Sequence, residues 1–196
     1  MSASTRSSVP DRAARLPAAW LPVAFALALA VTAAAGRTVD APPLPSQVLA
    51  LAPNLKVQGG GELTFFGISV YDGYYWSPTR GWTQDGPFAL DLHYHRALDG
   101  AKIAERSVGE IAKLGYGTTV QRSRWGEQMR RMFPDVRRGD RLTGVNLPGG
   151  VVRYFHNGKS IGEIADPGFA RAFFGIWLDP KTSEAGFRQL LLGEQP

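Results

Sequence analysis

The dipeptide Asn157-Gly158 stands between two readily extended runs, Val151 to His156 and Lys159 to Ile164. Asn and Gly both tolerate positive φ, and a two-residue type I′ turn matches the twist of paired strands, so these runs are predicted to form a β-hairpin. Pro148-Gly149-Gly150 makes a second reversal just before it, which turns Arg141 to Leu147 into a third antiparallel strand. Asp166-Pro167 then opens a helix. The carboxylate can cap free N–H groups, and proline fits the first helical position, where no N–H is needed. Phe169, Phe173, Ile176 and Trp177 recur along that helix at helical spacing. So wide an aromatic stripe is predicted to lie across the sheet it follows.

Upstream, Gly59-Gly60-Gly61 releases the chain into a strand over Glu62 to Tyr71 with bulk on both faces. Asp72-Gly73 reads as a tight turn, and Tyr74 to Trp76 as its short partner. Phe88 to His95 alternates: Phe88, Leu90, Leu92 and Tyr94 share a core face, while Ala89, Asp91, His93 and His95 share a polar one. Helices are predicted over Lys102 to Leu114 and Thr119 to Phe133, the second ended by Phe133-Pro134. Arg106 and Glu110, four residues apart, form a surface pair on the first of them. A last helix runs from Ser183 through Phe187, Leu190 and Leu191 to Gly193. The element order is three strands, two helices, three strands and two helices. The fold class is therefore α+β, an open-faced sandwich of an antiparallel sheet with helices covering one face.

At the N-terminus, Arg6, Arg12 and Arg15 precede an apolar run, Leu16 to Ala35, ending in Ala33-Ala34-Ala35. This is the pattern of a cleaved secretory signal over residues 1–35, which places the mature protein in the periplasm. The rival reading is an uncleaved inner-membrane anchor, since the run approaches the roughly 20 residues a bilayer requires. Loss of the segment removes three arginines and one aspartate, lowering the formal charge of +5 by two, so the mature chain is only mildly basic. Residues 36–58 carry four prolines between Arg37 and Pro53 and read as an extended arm with one apolar piece, Val48 to Leu51. Residues 59–196 form the folded domain, for which a 44% hydrophobic, 20% charged composition is ordinary.

The chain has no cysteine, which excludes disulfides, thiolate metal sites and thiol nucleophiles together. No nucleophile elbow or phosphate-binding loop is present. His93 and His95 lie two apart on one strand face, a spacing that can bring an imidazole to a metal or a haem iron, although histidines on a sheet's polar face are the commoner meaning of such a pair. Seven arginines between Arg122 and Arg141 suggest an anionic partner. Without interleaved aromatic residues they do not form a nucleic-acid platform. A solvated helix flank is the first reading and peripheral contact with anionic lipid headgroups the second. Ten Phe, five Trp and six Tyr furnish enough aromatic surface to leave a slot between sheet and helices for an apolar ligand.

The stretches LTFFGISVYDGYYW, the Arg141–Leu178 meander with its helix, and the closing FRQLLLG resemble the chalcone isomerase-like proteins, in particular their bacterial exported branch; the resemblance spans roughly Gly59 to Gly193. It implies the same open sandwich and a ligand site between its layers. In the plant isomerases an arginine near the start of the first motif strand, a threonine within it and a tyrosine ahead of the first long helix assist ring closure. Here the arginine's segment reads Gly59-Gly60-Gly61-Glu62-Leu63, Tyr71 replaces the threonine and Ile103 the tyrosine, while Glu105 and Arg106 fit. Without the cation that steadies the developing anion, the resemblance implies a non-catalytic protein. The enzyme of isomerase type and a partner-binding protein without ligand stand as alternatives. Relatives that bind fatty acids pair that arginine with a tyrosine at the place of Tyr71, and fungal relatives described as haem-binding keep a haem reading open. The candidate ligand-binding residues are thus Tyr71, Arg106, His93 and His95. The expected ligand is a small apolar or amphipathic molecule, fatty acid-like or haem, and no catalytic or metal-ligating set is assigned.

Overall fold

The computed structural model describes residues 40–194. The signal-like segment and the first residues of the arm lie outside them. In chain order the elements are α1 (Ser46–Leu51), β1 (Lys56–Phe65), β2 (Ile68–Ser77), β3 (Phe88–Tyr94), α2 (Gly100–Lys113), α3 (Thr119–Met132), β4 (Arg141–Leu147), β5 (Val151–His156), β6 (Lys159–Ala165), α4 (Pro167–Leu178) and α5 (Ala185–Leu192). The six strands form one antiparallel sheet in sequential order, each paired with the next, and α2 and α3 are inserted between β3 and β4. The α+β open sandwich is the observed architecture.

The meander that the turn residues specify forms as expected. His156 pairs with Lys159 across Asn157-Gly158, whose φ values are 50° and 78°. Asp166 caps α4 through Oδ1, which accepts from Gly168 N at 2.9 Å and Phe169 N at 3.2 Å, while its Oδ2 accepts from Trp125 Nε1 on α3 at 2.9 Å. One carboxylate thus ends a strand, starts a helix and ties that helix to another. The aromatic stripe of α4 enters the main core, with Phe169, Phe174 and Leu178 fully buried.

The first hairpin departs from the sequence reading. Its turn is Phe66-Gly67, bracketed by the Phe65–Ile68 pair, and Asp72-Gly73 lies in mid-strand with Gly73 paired to Gly61. The Asp-Gly preference is local and worth little beside the pairing of two ten-residue strands that bury Tyr74, Tyr75 and Trp76. The glycines serve packing instead. At Gly59 a Cβ would approach Leu191 O to 2.8 Å and Gly193 N to 2.5 Å, so the bare backbone admits the C-terminal end of α5. Gly59→Ala is expected to destabilise the protein by about 1–3 kcal/mol in urea titration, because the obstacle is backbone and does not yield.

The second departure concerns the sheet's other face, predicted to be polar. Ala89, Val145, Phe155, Tyr74 and Trp76 make a smaller core there, covered by Leu44, Val48, Ala52 and Leu55 of the N-terminal arm. The arm is therefore not simply extended. It forms α1, whose Val48 is fully buried, and its last residues, from Lys56, open β1.

Candidate functional site

Strand register sets three side chains in a row on the helix-covered face: Leu63 pairs with Tyr71, and Tyr71 with Tyr94. α2 crosses above them, with α4 behind. Between the layers lies a cavity of about 430 Å³, within the usual range for small-molecule sites. Tyr71, Tyr94, Leu92, Phe173, Ile176 and Trp177 form its inner wall and are all buried. Ile103 and Arg106 reach it from α2, and the exposed Arg96 and Lys102 border its mouth.

Tyr71 is the polar centre of the inner wall. Trp177 Nε1 donates to its hydroxyl oxygen at 2.9 Å. Among the described residues nothing accepts the hydroxyl's own proton, so one O–H donor is left beside the cavity. Burial pushes the phenol's pKa well up, so Tyr71 is a neutral donor throughout the physiological range.

Glu110, expected on the outer surface of α2, is buried beside the cavity. Its Oε1 accepts from Lys113 Nζ at 2.9 Å and lies 2.8 Å from Arg106 Nε, and its Oε2 accepts from Ser183 Oγ at 3.1 Å. Burial acts to raise its pKa, but the Lys113 and Ser183 bonds and the Arg106 charge outweigh that and hold it below the usual carboxylate range. Arg106 is therefore already matched by a carboxylate, and its guanidinium rests 5.3 Å from the Phe65 ring centre at the cavity's edge. Arg96 and Lys102 are in no salt bridge among the described residues. Sequence reasoning passed over both, because nothing local marks a loop arginine and a first-turn lysine as neighbours of a cavity.

Of the four candidate residues, the structure brings Tyr71 and Arg106 to the cavity and puts the two histidines on the opposite face. Leu92 faces the helices, and alternation sends His93 and His95 away from them. His93 Nε2 is 2.8 Å from Asp91 Oδ2, and His95 Nε2 is 3.0 Å from Asp72 Oδ2, an ion-pair distance without hydrogen-bond geometry. Neither imidazole lines the cavity. Asp91 is wholly buried and also accepts from Arg141 Nε at 2.8 Å and Thr143 Oγ1 at 2.7 Å. Partners some 50 positions apart hide this network from sequence reading; an aspartate inside the apolar run FALDLHY was its one local sign.

The arginine run is likewise partly internal. Arg122 donates to the carbonyls of Tyr116 and Gly117, Arg124 pairs with Asp166 at 2.7 Å, Arg131 with Glu127 at 3.6 Å, and Arg141 is the partner of Asp91. Four of its seven members are thus engaged within the chain, although Arg124 and Arg131 stay largely exposed.

A family model described as chalcone isomerase-like matches residues 37–193. The chain belongs to this family. A Haemophilus influenzae protein described as uncharacterized is 30% identical over 139 residues, covering 69% of this chain and 67% of the relative. The crystal structure of an Arabidopsis thaliana fatty-acid binding protein superposes with a TM-score of 0.56 at 13% identity, covering 71% of this chain and 87% of that one. At that identity the likeness establishes the chalcone isomerase-like fold. Leu63 lies directly across from Tyr71, and Ile103 lines the cavity from α2.

Proposed function

We propose that this protein binds a small amphipathic molecule with a single apolar chain, tail inward between sheet and helices and polar head at the mouth. The observation that carries this reading is the cavity of about 430 Å³ with its buried aromatic wall and with Arg96 and Lys102 at its mouth. The fatty-acid binding described for the Arabidopsis neighbour supports the ligand class. The orientation follows from electrostatics. A carboxylate pushed inward would meet the neutral Tyr71 hydroxyl and the apolar Leu63 with no free cation, a desolvation cost of several kcal/mol. At the mouth it meets Arg96 and Lys102. Binding is favoured over bond-making because Tyr71 is held neutral and Glu110 is engaged by the Lys113 and Ser183 hydrogen bonds and the Arg106 ion pair. Haem is disfavoured because both imidazoles proposed for it face away from the cavity. Export belongs to the proposal and rests on the arginine-flanked apolar run of residues 1–35, with the mature chain beginning near Gly36.

A fluorescent dansyl-undecanoic acid is expected to bind the full chain saturably, with Kd on the order of micromolar, and to be displaced by unlabelled fatty acids. Replacing Arg96 and Lys102 together by alanine should weaken the acid about tenfold, two partly exposed charges being worth roughly 1–2 kcal/mol together. The corresponding alcohol should bind both proteins equally. An equal loss for acid and alcohol would refute the head-outward placement, and no saturable binding would refute the function.

A further inference from the structure

Among the described residues, two β-hairpins are closed by two-residue turns with closely similar φ values. Asn157-Gly158 has φ values of 50° and 78°, and Phe66-Gly67 has 49° and 73°. The first uses the residue pair that such a turn favours. The second places phenylalanine where φ is positive, a conformation that a bulky side chain rarely adopts, and leaves that side chain 90% exposed. Neither backbone preference nor packing accounts for Phe66, since asparagine would serve the turn better and burial gains nothing from it.

Its neighbours share the exposure. Phe65 and Ile68 are 49% and 52% exposed, and the Phe65 and Phe66 rings meet edge to face at 4.6 Å. An apolar knob therefore projects from the end of the sheet. Its base is the mouth of the cavity, because Phe65 and Ile68 line the cavity while Phe66 does not. Arg96 and Lys102 stand at the same mouth outside any salt bridge among the described residues. The nearby Asp99 is occupied, its Oδ1 accepting from Lys102 N at 3.1 Å as the cap of α2.

We propose that the Phe65–Ile68 tip is a membrane-docking device: it inserts into the surface of a phospholipid bilayer with Arg96 and Lys102 against anionic headgroups, setting the cavity mouth on the lipid. This rests on the binding function proposed above, and it supplies the route by which a bilayer-borne amphipath enters without crossing water. A bilayer fits the geometry better than a protein partner does. The knob is a small hairpin tip whose outermost ring is almost wholly exposed, so it suits a deformable apolar medium, where an aromatic side chain sinks to the boundary between headgroups and chains and basic residues remain at the headgroups.

Two measurements on the full chain test it with vesicles of phosphatidylethanolamine and phosphatidylglycerol. In the first, Phe66→Trp reports from the tip itself. With brominated acyl chains in the vesicles, its emission is expected to show quenching in excess of that of the unsubstituted chain, whatever the N-terminal segment does. No excess quenching would overturn the docking, and protection of that position by a protein partner alone would overturn it equally. In the second, Phe66→Asn restores the favoured Asn-Gly turn, so the hairpin is expected to fold with an unchanged or higher Tm. Transfer of dansyl-undecanoic acid from vesicles to this variant should slow by roughly tenfold, the worth of one partly buried aromatic side chain, while its affinity in vesicle-free solution stays the same. Equal transfer rates would refute the docking role. Absence of binding in vesicle-free solution would instead refute the cavity's function and leave the quenching result to decide the docking.

Discussion

Replacing Asp91 by alanine is expected to lower the free energy of unfolding by about 3–5 kcal/mol, the usual result of removing one partner from a buried ion pair. The side chain lies at the centre of β3 with no exposure, and Arg141, Thr143 and His93 converge on it from β4 and its own strand. Arg141 extends the network outward, donating through Nη1 to Pro43 O at 3.0 Å, so the carboxylate also helps to hold the arm over the second core. Without it a mostly buried guanidinium and a buried hydroxyl lose their acceptor. Substituting Asp91 and Arg141 together by apolar residues should cost less than the single change, because no charge is then stranded. Equilibrium urea titration checks both, and a loss below about 1 kcal/mol for Asp91→Ala would show that solvent reaches the site.

The same carboxylate gives the stability a pH dependence of definite sign. Burial acts to raise the Asp91 pKa, but the His93 and Arg141 hydrogen bonds and the Arg141 charge hold it below the usual carboxylate range. A group depressed in the folded state contributes fully above its unfolded value, about 3.9, and that contribution is lost as pH falls through the lowered folded value. Asp91→Asn should therefore flatten the stability curve below about pH 4 and leave its shape above that unchanged.

Ile103→Trp is expected to abolish binding of the fluorescent acid, weakening it on the order of a hundredfold, which is about 2.7 kcal/mol, while unfolding is unchanged or occurs at higher temperature. Ile103 is half-buried on α2, where it lines the cavity and packs against the edge of the main core. A larger side chain there fills empty volume, which stabilises, whereas the same enlargement in a filled core would strain it. Competition binding beside thermal unfolding separates the outcomes. Binding that survives within a few-fold would place the ligand elsewhere, and a large fall in Tm would show that the space is not free.

Much of the fold was legible because its signals are local. Asn157-Gly158, Pro148-Gly149-Gly150 and Asp166-Pro167 act through φ preferences and capping over a few residues, so β4, β5, β6 and the start of α4 fall where those residues place them. Thr118 and Gln121 form the capping box that begins α3, and Phe133 before Pro134 ends it. Asp72-Gly73 misled for the same reason: its preference is real but weak, and strand pairing with the docking of α5 on Gly59 overrode it. Tyr71 and Arg106 were found through the family resemblance, whereas Arg96 and Lys102 carry no pattern of their own.

By itself, then, the sequence determined the order of the elements from β1 onward, the turns of the second meander and the absence of cysteine chemistry, since each depends on residue types or on residues within a few positions of one another. Tertiary structure alone decided which sheet face the long helices cover. That choice turned His93 and His95 away from the cavity, put Asp91 under the N-terminal arm, and stood Leu63 rather than a cation across from Tyr71. These outcomes depend on burial and on register between distant segments. Strand alternation specifies two faces without saying which one a helix will occupy, and a buried charge declares its partner only when strands far apart in the chain are paired.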